Sequence, residues 1–206
     1  MRTLHIIDSH ILDGVYVGPD ISEWPGHIDI AGDLGTICFD NPIVTLGNVL
    51  ARPGTGIKSH SRIKAGRNLR VELGLETETG LEVGGTLDVV FDLRVTASIS
   101  VKLSMNIGGH IMSAGTIWCG GRIRTPGHIT AAGNVVAGLG ISAASIGAGA
   151  NILAGVFVHH PFQEHEKEIY AEIRSGTITH GVHVFSSAAR RALVVIEKSS
   201  LDPTRR

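Results

Sequence analysis

Large apolar residues recur every six positions along the middle of the chain. From Ile57 to Ile141, fifteen successive steps land on Ile, Leu, Met or Val: Ile57, Ile63, Leu69, Leu75, Leu81, Leu87, Leu93, Ile99, Met105, Ile111, Ile117, Ile123, Ile129, Val135 and Ile141. Two residues further on, a second column is small or β-branched, as at Ala65, Val71, Val83, Val89, Val101, Cys119 and Ala137. Positions i and i+2 share one face of a strand. Each hexad therefore predicts a very short strand with two inward side chains. Turns follow at Gly84-Gly85, Gly108-Gly109, Gly115, Gly120-Gly121, Gly127 and Gly133. Glycine suits such corners through positive φ or close backbone approach. An amphipathic helix needs a period near 3.6, and a hairpin strand alternates for longer. A six-residue period over this length predicts an all-β fold, a parallel β-solenoid.

The residue between the inward pair faces solvent, and its charge sets the coil length. Lys58, Lys64, Arg70, Glu76, Glu82, Asp88 and Arg94 occupy this column. With 18 residues per coil, Lys58 stacks on Glu76, Lys64 on Glu82, Arg70 on Asp88 and Glu76 on Arg94, all opposite in sign. A 12-residue coil would instead stack Lys58 on Arg70 and Glu76 on Asp88. Neighbouring opposite charges on paired strands contribute about 0.2–1 kcal/mol, and like charges cost similar amounts. A triangular coil of about 18 residues is expected.

The register extends upstream through Ile37/Phe39, Ile43/Thr45 and Val49/Ala51, with a two-residue insertion within Arg52–Gly56. Downstream it slips by one and continues through Ile146/Ala148 and Ile152/Ala154. Three regions follow: an acidic N-terminal cap over residues 1–36, a solenoid over 37–158 and a C-terminal cap or oligomerisation extension over 159–206. In the last, the alternation of Glu168–Arg174 favours a strand over a helix, Val182 with Val184 suggests another strand, and Leu193–Ile196 reads as a last strand or an apolar edge. A solenoid end exposes unpaired edges and an apolar cross-section, so both flanks are expected to cap the shaft or to make oligomer contacts.

Composition narrows the function. The chain has 206 residues and a formal net charge of −1, with 27 glycines and 4% aromatics. Such a balance does not coat nucleic acid by bulk charge. Charge is nonetheless uneven. Residues 1–50 hold Arg2 against Asp8, Asp13, Asp20, Glu23, Asp29, Asp33 and Asp40, a net of −6; residues 51–125 carry +4. The acidic head and two tryptophans, Trp24 and the outward-column Trp118, are the candidate partner-binding residues. Cys38 and Cys119 read as free thiols of a reducing, cytoplasmic compartment. Thr125–Val158 lacks any charge, but its hexad period and polar residues fit a packed core rather than a membrane span.

Candidate chemistry is sparse. His159, His160 and His165 surround an acidic loop without a tight ligand spacing, so no metal site and no cofactor is assigned. His110 and His128, 18 apart, are expected to stack as a surface ladder. There is no phosphate loop, no Gly-x-Ser-x-Gly elbow and no Cys-x-x-Cys pair. The expectation is a non-catalytic protein.

The hexad period is similar to that of hexapeptide acyltransferases. That family places small residues one and four positions after the aliphatic one. Here these positions hold Lys58, Glu76, Asp88 and Trp118, and Arg67, Leu73, Phe91 and Leu103. Gly127–Ala143 and Ile152–Val156, written in an Ile-x-Ala-Gly style, resemble repeats in small phage and prophage proteins. The wider pattern is similar to bactofilins, whose β-helical shafts polymerise end to end. The phage resemblance implies a cytoplasmic interaction protein that binds a protein partner, such as a host defence complex it inhibits. The bactofilin resemblance implies a homo-oligomeric structural polymer.

Overall fold

The structure is a computed structural model. It describes residues 1–155 and, by backbone pairing, the strands Ile173–His180, Val184–Ser186 and Val194–Ile196. The chain winds into a parallel β-solenoid of about 7 turns with about 18 residues per turn. Three faces result. Face I stacks His27–Ile30, Val49–Ala51, Leu69–Val71, Leu87–Val89, Met105–Ile107, Ile123–Arg124 and the start of Ile141–Ala148. Face II stacks Gly35–Phe39, Thr55–Ser59, Leu75–Thr77, Leu93–Val95, Ile111–Ser113, His128–Ala131 and the end of Ile141–Ala148. Face III stacks Ile43–Thr45, Ile63–Ala65, Leu81–Val83, Ile99–Val101, Ile117–Cys119, Val135–Ala137 and Ile152–Ala154.

Register follows the hexads. Leu69 pairs with Leu87, Leu75 with Leu93 and Leu81 with Ile99. Every aliphatic residue that opens a hexad from Ile57 to Ile141 is at most 1% exposed, and these residues form one core. Burying each such side chain contributes about 1.5–3 kcal/mol relative to exposure. The four opposite-charge stacks are all register pairs. Two close as ion pairs, Lys64–Glu82 at 3.0 Å and Lys58–Glu76 at 3.9 Å. Arg70 turns instead to Glu72, donating from Nε over 2.6 Å.

The corners carry a second ladder. The residue just before an inward aliphatic donates its backbone N–H to the side chain at the same corner one coil earlier. At the corner from face III to face I, Asn68 N–H bonds Asn48 Oδ1 and Thr86 N–H bonds Asn68 Oδ1. Between faces II and III the series runs Ser98, Thr116, Asn134, Asn151. Buried hydroxyls in the small column are satisfied the same way. Thr77 Oγ1 donates to the Ser61 carbonyl over 2.7 Å, and Ser113 Oγ to that of Ala97 over 2.7 Å. Among the described residues no buried side-chain polar atom lacks a partner, as a packed interior requires.

The corner glycines serve close approach rather than positive φ. Positive φ occurs at Gly14, Gly35, Gly54 and Gly155, none of them in the glycine turns of the central repeat. At Gly108 a Cβ would land inside the contact radius of the Val90 carbonyl oxygen, because successive corners stack directly.

The parallel stack reaches beyond residues 37–158. Thr3–Ile6 pairs with His27–Ile30, which pairs with Val49–Ala51, so residues 1–36 hold two shaft strands as well as a cap. Their period is hidden because Leu4 lies over Ile28 and Ile28 over Val49, spacings longer than 18. Asp13-Gly14, with φ of 51° and 79°, turns a two-residue hairpin that pairs Leu12 with Val15. This is the twist-compatible turn that Asp-Gly favours. Tyr16 stacks on Phe39 with centroids 5.0 Å apart, and Ile6 and Ile21 are buried, closing the N-terminal cross-section. At the other end Ile173–His180 pairs along Ile141–Ala148, Val184–Ser186 along Ile152–Ala154, and Val194–Ile196 along Ile173–Ser175. Residues 168–172, the histidine cluster at 159–165 and the tail from 198 lie outside the described residues. The charge-free stretch is solenoid as far as the structure describes it, to residue 155. Among the described residues no helix is long and apolar enough to cross a membrane.

Stacked corners generate a paired prediction. Gly108→Ala should lower unfolding free energy by about 1–3 kcal/mol, the usual cost of overpacking. At Gly80 a Cβ would sit 3.7 Å from the Ser98 carbonyl oxygen, an ordinary contact. Gly80→Ala should be neutral or stabilising by up to about 1 kcal/mol, through the entropy of the unfolded chain. Urea melts of both variants check this, and equal effects would refute the stacking argument.

Candidate functional site

A shallow, open concave feature lies on face I. The outward side chains there are Arg70, Asp88, Asn106, Arg124 and Ser142, one per coil and paired in register along the shaft. They floor a groove of about 820 Å³. Val90, Gly108 and Pro126, from the corner towards face II, form one wall. Val90 is 44% exposed, and its neighbour Phe91 56%. The floor side chains lie in a row because a strand holds them perpendicular to the sheet and the next coil repeats them about 4.8 Å away.

The floor is only partly self-satisfied. Asn106 Nδ2 donates to Asp88 Oδ1 over 2.7 Å. Arg70 spends Nε on Glu72 and keeps its terminal nitrogens for another acceptor. Arg124 is exposed, and its guanidinium has no hydrogen bond or ion pair among the described residues. A floor of guanidinium and amide groups beside an apolar wall offers hydrogen-bond donors and apolar contact to an extended chain.

Behind the wall runs a second series, Asp92, His110, His128 and Ser145. Asp92 Oδ1 accepts the His110 N–H over 2.7 Å, and His110 Nδ1 accepts the His128 N–H over 3.1 Å. His128 Nδ1 lies 2.6 Å from Ser145 Oγ. The imidazoles stack at 4.9 Å with an interplanar angle of 14°, the surface ladder expected from their spacing. These contacts use the imidazoles as corner acceptors, like Asn48 and Asn68 elsewhere. Among the described residues no group of three or more His, Cys, Asp or Glu could hold a metal ion. No family model matches the chain, and no curated protein or solved structure does.

The acidic residues of the head do not converge. Asp8 sits in the 3₁₀ turn Asp8–His10, and Asp13 in the hairpin turn. Asp20 accepts the Ser22 N–H over 2.9 Å, which holds its carboxyl below the ordinary range. Glu23 is exposed beside Trp24. Asp33 takes the left-handed conformation, φ 60°, at the corner from face I to face II. Asp40 lies at the next corner, 3.9 Å from His60 Nε2. Asp29, on face I, is engaged inside the molecule. Arg52 Nε and Nη2 donate to its two oxygens over 2.9 Å, and His5 Nδ1 is 3.2 Å away. Trp24 packs against the core and donates from Nε1 to the His27 carbonyl over 3.0 Å.

Trp118 does occupy the outward column of face III, between Ser100 and Val136. It is half-buried, and Val136 beside it is only 8% exposed although its register position is outward. The structure thus separates Trp118 from the acidic residues by several coils. The groove floor was open to sequence reasoning: stepping by 18 from Arg70 reaches Asp88, Asn106, Arg124 and Ser142.

Two predictions follow from this electrostatic layout. Arg52 foremost holds the Asp29 carboxyl below its ordinary value of 3.8, against the opposing effect of burial. A depressed carboxyl stabilises the fold above its unfolded-state pKa, and that contribution fades as pH falls through the folded value. Asp29→Asn should therefore lower the melting midpoint at neutral pH, with the gap to wild type closing progressively below about pH 4. A gap that stays constant down to pH 2 would exclude the pairing. The second concerns the thiols. Burial pushes Cys119 up to about 12, and its Sγ donates to the Leu103 carbonyl over 3.0 Å. Cys38 is half-buried. A chromogenic disulfide reagent at pH 8 should titrate Cys38 in the folded protein and Cys119 only after denaturation, since the thiolate is the reactive form. Equal rates for both would contradict the packing.

Proposed function

We propose that this chain is a non-catalytic binding solenoid that holds an extended segment of a partner protein along face I. The carrying observation is the groove itself. Five coils each contribute one outward side chain to a single polar floor, bordered by the apolar wall of Val90 and Pro126. Three coils of such a ladder, roughly 14 Å, span about four residues of an extended chain, and it needs no moving part. The closed N-terminal cross-section supports a finite rod over an end-to-end polymer, since Ile6 and Ile21 are covered and Tyr16 lies on Phe39. The phage-type repeat style supports a host protein, such as a component of a defence complex, as the partner.

Selection from a displayed random peptide library tests the reading. Wild-type protein should enrich peptides whose affinity falls by about tenfold or more, roughly 1.4 kcal/mol, in both Asn106→Trp, which fills the floor, and Val90→Asp, which charges the wall. Both positions are exposed, so circular dichroism melts should stay near wild type. Absence of enrichment, or peptides indifferent to both changes, would remove the groove as the binding surface.

A further inference from the structure

The charges around the groove select among segments it could hold, and this step rests on the groove being the binding surface. Arg67, Arg70, Lys102 and Arg124 are all exposed on face I or on the corner that leads into it from face III. The acids on the same surface are already engaged: Glu72 by Arg70 Nε, and Asp88 by the Asn106 amide. The side chains of Arg67, Lys102 and Arg124 make no hydrogen bond or ion pair among the described residues. The groove lining carries Arg70 and Arg124 against the single acid Asp88, and Arg67 and Lys102 flank it, so a surplus of positive charge lies beside an apolar wall.

We infer that its ligand is an extended acidic peptide segment with two carboxylates about four residues apart and an apolar residue between them. The spacing comes from the coil. Arg70 and Arg124 are three coils apart through Asp88 and Asn106. At about 4.8 Å per coil that is roughly 14 Å, and an extended chain rises about 3.3 Å per residue. Four residues span it, and residues i and i+4 point to the same side of a strand. One carboxylate then takes Arg124, whose planar guanidinium suits a two-point contact. The other takes the terminal nitrogens of Arg70. The apolar residue between them packs on Val90 and Pro126.

Nucleic acid fits the same charge less well. Asp88 stands in the middle of the floor, where it repels a phosphate chain charged at every residue, whereas a peptide charged only at its two ends leaves that position free of an anion. The groove lining holds no aromatic ring on which a base could stack, and stacking platforms are a main source of single-strand affinity.

Fluorescence anisotropy with three labelled probes tests the inference: a short peptide with two glutamates four residues apart and a leucine between, its glutamine counterpart, and an oligothymidylate of similar length. The glutamate peptide should bind at low salt. Affinity should drop by about tenfold or more in the glutamine counterpart and in Arg124→Glu, recover in part in Arg124→Lys, and weaken with added salt. Equal binding of the two peptides, indifference to Arg124→Glu, or tighter binding of the oligothymidylate would each overturn it. Library peptides that need Asn106 and Val90 yet carry no acids would overturn the acidic preference while leaving the groove in place.

Discussion

Everything in this fold depends on each coil closing in register over the last. Backbone hydrogen bonds run along the shaft axis, as from Leu87 N–H to the Ser104 carbonyl and from Leu93 N–H to that of His110. They exist only if the chain returns to the same place after one circuit. When it does, three further sets of contacts align without extra specification: aliphatic side chains over aliphatic side chains, corner acceptors over corner donors, and outward charges in columns. A single register thus satisfies the backbone, fills the core and composes the surface. Parallel sheets are normally covered on both faces. Here polar outward columns allow one face to meet water.

Departures from the 18-residue circuit show how firmly the register is held. The coil containing Arg52–Gly56 places Ile57 over Ile37, two residues longer than the rest, and pairing resumes at once on all three faces. The surplus leaves the core and bulges at the corner, where Arg52 reaches back to Asp29 and His5 lies against the same carboxylate. That cluster ties the first strand, the second and the inserted corner together. The opposite departure occurs at Ile146, over Ile129 and one residue short of a full circuit. There Ile141–Ala148 runs through the corner as one strand that serves two faces.

Coil size and register were legible in the sequence because the period involves every sixth side chain and a charge column that only one coil length satisfies. Residues 1–36 were harder to read. Their circuits are stretched by the hairpin and by longer corners, so Leu4 and Ile28 fall outside any six-residue count, although Asp13-Gly14 between Ile11-Leu12 and Val15-Tyr16 marks the hairpin plainly. The acidic residues of the head are dispersed for a related reason. Nearness in sequence does not survive winding: Asp29, Asp33 and Asp40 fall on a face and two successive corners, and Asp13, Asp20 and Asp33 serve local backbone geometry. The Asn, Thr, Ser and His residues that precede the aliphatics carried a readable signal of their own, because each must accept an amide one coil later.

The three faces share one backbone and differ only in their outward columns, and there the distinctive surface arises. The first coils of faces II and III pair charges of opposite sign, Lys58 with Glu76 and Lys64 with Glu82. The later coils of face III turn apolar at Trp118, Val136 and Leu153, with Val136 buried. On face I the same alternation begins with Arg70 and Asp88 and then breaks, since Asn106 replaces a cation and takes up Asp88, leaving Arg124 without an acid above or below it. One interrupted step in a charge ladder is enough to leave an exposed guanidinium without an acid beside it in the column. Because the backbone is indifferent to what the outward column holds, such a surface can form without disturbing the register that supports it.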